Sequence, residues 1–189
     1  IEESAVPAHN FRNLPTLFVG GGPAAERFAA GIVEAGYDNC LREPTLTEEA
    51  VLEWFGQQRR DASPVTISLV VGTPYPTRIG WLRIAPNAVD TTVRAAVDRA
   101  ANSVRVMATG ASSVTLHLGD ALLDLDRPVQ VDFEGSVREV RVRRSAALLV
   151  ERWLDGTSDS GAPYVAEVVL APGIGIVGAD DVPPRVDEE

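Results

Sequence analysis

The chain has 189 residues, 45% hydrophobic and 23% charged, a make-up that fits one globular domain or two small ones. Its formal net charge of −10 argues against nucleic acid and against an anionic membrane surface, because both need a basic face. All 17 basic residues are arginine, which removes a Schiff-base lysine and a P-loop lysine from consideration.

The elements follow from periodicity and punctuation. Pro15 to Val19 is a short apolar strand, ended by Gly20, Gly21 and Gly22. Pro23 to Ala35 carries Phe28, Ile32 and Val33 among alanines and reads as a helix, with Gly36 as its stop. Asp38 to Arg42 is a second strand. Thr47 is the expected N-cap of a second helix, in which Glu48 and Glu49 suit the positive end and Val51, Leu52, Trp54 and Phe55 form an apolar face. This β-α-β-α order over residues 1–64 is too short to cover both faces of a parallel sheet, so it reads as the end of a larger sheet or as a piece that leans on a partner.

From Val65 onward strands dominate. "PVTISLVVG", "TRIGWLRIA", "SSVTLHLGD", "RPVQVDFEG" and "REVRVRR" alternate with period two, while "TVRAAVDRAANSVRVMATG" has the alanine content of a helix but fits two strands better through Val93, Val97, Val104, Val106 and Met107. Gly110, Gly119 and Gly135 mark turns. Ser145 caps a short helix, Ala146 to Leu154, stopped by Gly156; "DGTSDSGAP" is a loop and "YVAEVVLA" a last strand. The fold class is therefore α+β: a small, partial α/β segment (1–64), a β-sandwich-like domain with one short helix (65–178), and an acidic, proline-rich tail (179–189).

Candidate chemistry is sparse. The glycines at 20–22 sit between a strand and a helix, where backbone N–H groups favour anions. The pattern lacks the full G-x-G-x-x-G, so it reads as a structural corner with Pro23 in the first turn of the helix; an anion site on Gly20, Gly21 and Gly22 is the alternative. The acidic run "GDALLDLDRPV" offers Asp120, Asp124 and Asp126 as oxygen ligands for a cation, against the reading of a surface turn. The histidines are two, His9 and His117, and the cysteine is one, Cys40, which is too few for a metal site of known type and reads as a buried inert thiol. His117, inside "VTLHL", reads as a packed or rim residue. No G-x-S-x-G occurs, and Ser112 and Ser113 read as part of a hairpin turn. Trp54, Trp81 and Trp153 read as core or domain-contact residues. No catalytic residue and no cofactor is assigned.

The run "NLPTLFVGG", a "GY" strand and "EEAVLEWFGQQRRD", followed by "VTLHLGDALLDLDRPVQVDFEG" and "VREVRVRRSAALLVERW", resembles the C-terminal end of large α/β-hydrolase-like proteins of planctomycete-type bacteria. These are peptidases or esterases of the prolyl oligopeptidase or depolymerase type. The resemblance implies a β-rich appendage on a hydrolase core and an exported protein. It carries no catalytic residue onto this chain: the loop Gly20 to Ala25, where the triad acid would stand, has no Asp, and Glu43 to Ala50, where the histidine would stand, has no His. The nucleophile would lie upstream of Ile1, a start that reads as processed or excised.

Three readings follow. One is a non-catalytic interaction or structural module from a degenerate hydrolase, bound to another protein or to the rest of its parent. A second is the end of an esterase or peptidase, and a third is a small-ligand or cation-binding module. The expected location is extracytoplasmic, with no direct membrane insertion.

Overall fold

A computed structural model describes residues 8–12, 14–43, 45–59, 61–72, 75, 77–88, 90–154, 163–173 and 175–177. Ile1, the stretch 155–162 with Gly156, and the tail 179–189 lie outside the described residues, as does the side chain of His9. The chain divides into two compact units, residues 1–61 with 68–70, and residues 62–67 with 71–189.

The first unit begins with a 3-10 turn, Ala8–Phe11, and continues with β1 (Thr16–Val19), α1 (Pro23–Glu34), β2 (Cys40–Glu43) and α2 (Glu48–Gln57). β1 and β2 form a two-stranded parallel sheet in which Thr16 faces Cys40 and Val19 faces Glu43. Pro23 opens α1, where its missing N–H costs nothing. The helix stops in a Schellman arrangement: Gly36 takes φ +79°, its N–H donates to Val33 O, and Tyr37 N–H donates to Ile32 O. Thr47 caps α2 as expected, accepting from Ala50 N–H at 3.3 Å. Phe28 stands edge-on to Phe11 and Phe18, with centroids 5.0 and 5.8 Å away. Among the described apolar residues of 8–59, only Ala29 and Ile32 are buried.

The second unit is a sandwich of two five-stranded sheets packed together. Its strands are β3 (Thr66–Val71, of which 68–70 are grouped with the first unit), β4 (Thr77–Ile79), β5 (Leu82–Pro86), β6 (Thr91–Asp98), β7 (Ser103–Thr109), β8 (Ala111–Leu118), β9 (Val129–Phe133), β10 (Ser136–Val140), β11 (Ala166–Ala171) and β12 (Gly175–Val177), with α3 (Ala146–Leu154) between β10 and β11. One sheet runs β10-β9-β7-β6-β3, and its β7–β9 pair is parallel. The other runs β12-β11-β8-β5-β4, and its strands pair antiparallel. Alternation decides which side chains enter the core. Val93, Ala95 and Val97 of β6 and Val104, Val106 and Ala108 of β7 are buried, as are Val114, Leu116 and Leu118 of β8 and Ala166, Val168 and Leu170 of β11.

Three details depart from the sequence reading. "TRIGWLRIA" is a hairpin and not one strand: Ile79 pairs with Leu82, and Gly80 supplies the φ of +52° that a two-residue turn demands. The turn at Gly110 is no hairpin. β7 and β8 lie in different sheets, so the chain changes sheet there, while Ser112 and Ser113 belong to β8. Finally, β12 extends the second sheet beyond the strand expected to be last.

Candidate functional site

The most unusual polar group of the molecule is buried in the second unit, on the outer side of the β12-β11-β8-β5-β4 sheet. In β8, Val114, Leu116 and Leu118 point into the core, so the period of two sends His117 to the opposite face. There His117 is 0% exposed. Its strand partner in β11 is Glu167, the one charged residue in an otherwise apolar strand. Arg152 reaches in from α3, of which it is the single buried residue.

Arg152 Nη2 lies 2.6 Å from His117 Nδ1 and also donates to Glu167 Oε1. His117 Nδ1 and Glu167 Oε1 are 3.1 Å apart. Arg152 Nη2 also lies 3.3 Å from His117 Nε2, and a guanidinium, which has only donors, disfavours the imidazolium beside it. Burial pushes the His117 pKa below its usual 6.5; Glu167 opposes this, and the charges of Arg152 and Arg78 add to it. The Tyr164 ring stands 6.2 Å from the imidazole, with the Arg78 guanidinium 5.8 Å from its centroid. The Tyr164 hydroxyl donates to Ala62 O at 3.2 Å. No serine, threonine or cysteine occurs among the described side-chain contacts of His117. The imidazole is thus buried between a permanent cation and a carboxylate.

The residues singled out from the sequence lie elsewhere. Gly20, Gly21 and Gly22 form the strand-to-helix corner: Gly20 takes φ +74° and Gly22 is the N-cap of α1. Glu26 sits in the first turn of that helix, its carboxylate 3.7 Å from Arg42, and so brings a negative charge to the end where an anion would bind.

Asp120 and Asp126 both grip Arg144. Asp120 accepts from its Nε at 3.1 Å and its Nη2 at 2.5 Å, and Asp126 accepts from its Nη1 at 2.6 Å. Arg144 thus holds the Asp120 pKa below its usual 3.8. Asp124 turns to its own loop and accepts from Asp126 N–H at 3.0 Å. The structure therefore brings together two of the three carboxylates, around a guanidinium. Among the described residues, no cluster of His, Cys, Asp and Glu is arranged to hold a metal ion.

Cys40 is a free, half-buried thiol whose pKa burial raises above 9.0. A shallow concavity of about 280 Å³ lies on the other sheet, bordered by Asp98, Ser103, Gln130 and the Arg105–Asp132 ion pair, whose atoms meet at 2.7 Å. Trp81 is core, its indole N–H donating to Pro64 O at 2.7 Å, whereas Trp153 is 71% exposed on α3.

Sequence reading left Arg152 and Glu167 unnoticed. Charged residues inside two apolar runs, Glu151 and Arg152 in "ALLVERW" and Glu167 in "VAEVVLA", were the available signal, but only the fold shows that Arg152 and Glu167 meet His117. No family model, curated protein or solved structure matches this chain. Among the described residues, no helix is long and apolar enough to cross a membrane.

Proposed function

We propose that the chain is a non-catalytic interaction or structural module that associates, through its first unit, with another protein or with the rest of its parent. The observation that carries this reading is the two-stranded parallel sheet. Parallel strands are normally covered on both faces and flanked by further strands. Here Val19 is 48% and Leu41 41% exposed, and α2 buries none of its residues, leaving Leu52 70% and Phe55 62% exposed. Such surface favours pairing with more polypeptide. The buried, charge-locked His117 fits a part that does no chemistry of its own.

The test is the behaviour of the isolated chain. Light scattering after size exclusion should show concentration-dependent association, together with binding of a fluorescent apolar dye. Both should fall when Leu52 and Phe55 are changed to Glu. A monodisperse monomer that binds no dye removes the support for this reading.

A further inference from the structure

We infer that the concavity on the outer face of the β10-β9-β7-β6-β3 sheet, between Asp98, Ser103, Arg105, Gln130 and Asp132, is a binding site for a neutral sugar ring. The site lies wholly in the second unit, so the inference does not depend on the proposed function.

Strand register builds the site. The alternation that buries Val97, Val104 and Val131 sends their neighbours to the outer face. Along one row Asp98 pairs with Ser103, and Ser103 with Gln130. Along the next, Ala96 pairs with Arg105, Arg105 with Asp132, and Asp132 with Val137. Neighbours within a row stand about 4.8 Å apart and the rows about 7 Å apart, so one six-membered ring can touch both. Ala96 is small and leaves the dent beside Arg105, while Val137, 53% exposed, forms an apolar wall. The space is about 280 Å³, enough for one such ring.

The polar groups are held in place without being used up. Asp132 accepts from Arg105 Nε at 2.7 Å and from Gly135 N–H at 3.0 Å, which fixes the ion pair. Asp98 Oδ1 accepts from Ala100 and Ala101 N–H at 2.9 and 3.0 Å, and this turns its Oδ2 outward for a ligand. Among the described residues, nothing hydrogen-bonds to the Nη groups of Arg105, the Ser103 hydroxyl or the Gln130 amide. Fixed donors and acceptors therefore stand side by side. A sugar hydroxyl both donates and accepts, so neighbouring hydroxyls can receive from Arg105 and give to Asp98, with Gln130 and Ser103 serving either way. Ring C–H groups then rest on Ala96 and Val137. Charge selects a neutral ligand: Asp98 and Asp132 repel an anion, and Arg105 repels a cation.

Amide-resolved NMR on the full chain tests this. The probes are the methyl glycosides of glucose, galactose, mannose, xylose and arabinose, with acetate, glycine and Ca²⁺ as comparators. At least one glycoside should saturably shift the amides of 96–98, 103–105 and 130–132 and the Gln130 side-chain amide. The expected Kd is about 1 mM, the order that a few hydrogen bonds give in an open site. Gln130→Ala and Arg105→Gln, both at exposed positions, should each weaken binding about fivefold and leave the rest of the spectrum unchanged. Ala96→Leu fills the dent and should abolish binding. Arg94→Gln, on the same face of β6 but outside the concavity, should leave it unchanged. The inference is overturned by any of four results: no saturable shift with any glycoside, shifts confined to other residues, an unchanged Kd in both Gln130→Ala and Arg105→Gln, or tighter binding of acetate, glycine or Ca²⁺ at these same residues.

Discussion

The two units use similar residues to very different effect. In the second, each interior strand alternates, and the apolar half of every alternation meets the facing sheet: Val93, Val104, Val114, Leu116, Val129, Val131 and Val168 are all 0% exposed. In the first, β1 and α1 bring apolar residues together, yet among the described residues few of them are covered. Leu14, Val19, Val33, Leu41, Leu52 and Phe55 stay between 41% and 70% exposed. The difference teaches that apolar content does not make a core. A core needs an opposing face at the right distance, which the sandwich builds from its own chain and the β-α-β-α unit does not.

The sharpest way to break this contrast is to truncate one leucine in each unit. Leu116→Ala removes a side chain that is 0% exposed and leaves a cavity, so it should cost about 4 kcal/mol by chemical denaturation. Leu52→Ala, at 70% exposure, should change stability by no more than about 0.5 kcal/mol. Comparable losses at the two positions would mean that α2 is covered after all. Next in size is Asn102→Ala. Asn102 is 1% exposed at φ +49°. Its amide donates to Asp124 O at 2.9 Å and Pro128 O at 3.0 Å, and its Oδ1 accepts from Asp124 N–H at 2.9 Å. Alanine leaves these partners without the amide and tolerates the left-handed backbone less well. A loss of about 3 kcal/mol is expected, with faster exchange across residues 119–128. An unchanged loop would show that Leu122, Leu123 and Leu125, all buried, hold it without the amide.

Much of this architecture was legible before the structure. Thr47, Ser145, Pro23 and Gly36 were identified from local rules, because capping and φ preferences act over three or four residues. The β-rich character of the second unit was legible because period two survives in any partly buried strand. What local rules cannot carry is which strand neighbours which. The Gly80 hairpin and the change of sheet at Gly110 are both "glycine after an apolar strand", and only the choice of partner separates them. The site failed for the same reason. Arg152 and Glu167 lie 35 and 50 positions from His117, within runs whose other residues gave ordinary readings. Trp153 is no core residue, because α3 inverts the usual rule, burying its arginine and exposing its tryptophan.

The same cluster predicts how the sandwich responds to acid. The folded chain holds His117 below its usual 6.5, so the unfolded chain takes up more protons once the pH drops below about 6.5, and stability falls from there down through the folded value. At the still lower pH where a carboxyl titrates, the His117 imidazolium, with Arg152, holds Glu167 below its usual 4.5. The stability Glu167 contributes is present above about 4.5 and is lost as the pH falls through its folded value. Denaturation midpoints measured across this range should therefore decline in two stages, and His117→Asn should remove the upper stage and shrink the lower one, since His117 is the first cause of the Glu167 shift. A variant that retains both stages would assign the upper one to another group.

The most local expected effect probes the first unit where it is least supported. Since α2 buries none of its residues, its stability rests on local terms, and the Thr47 cap is the clearest of them. Thr47→Ala removes the oxygen that receives Ala50 N–H and should cost about 1 kcal/mol, read as faster amide exchange within Glu48–Gln57 and not as a lower melting temperature of the sandwich. A cap that matters this much locally and not at all in the second unit is the behaviour of a helix waiting for a surface. If a bound partner supplies that surface, packing replaces capping as the main support, and the same substitution should then have a smaller effect on exchange. An effect as large in the complex as in the isolated chain would place the partner somewhere other than α2.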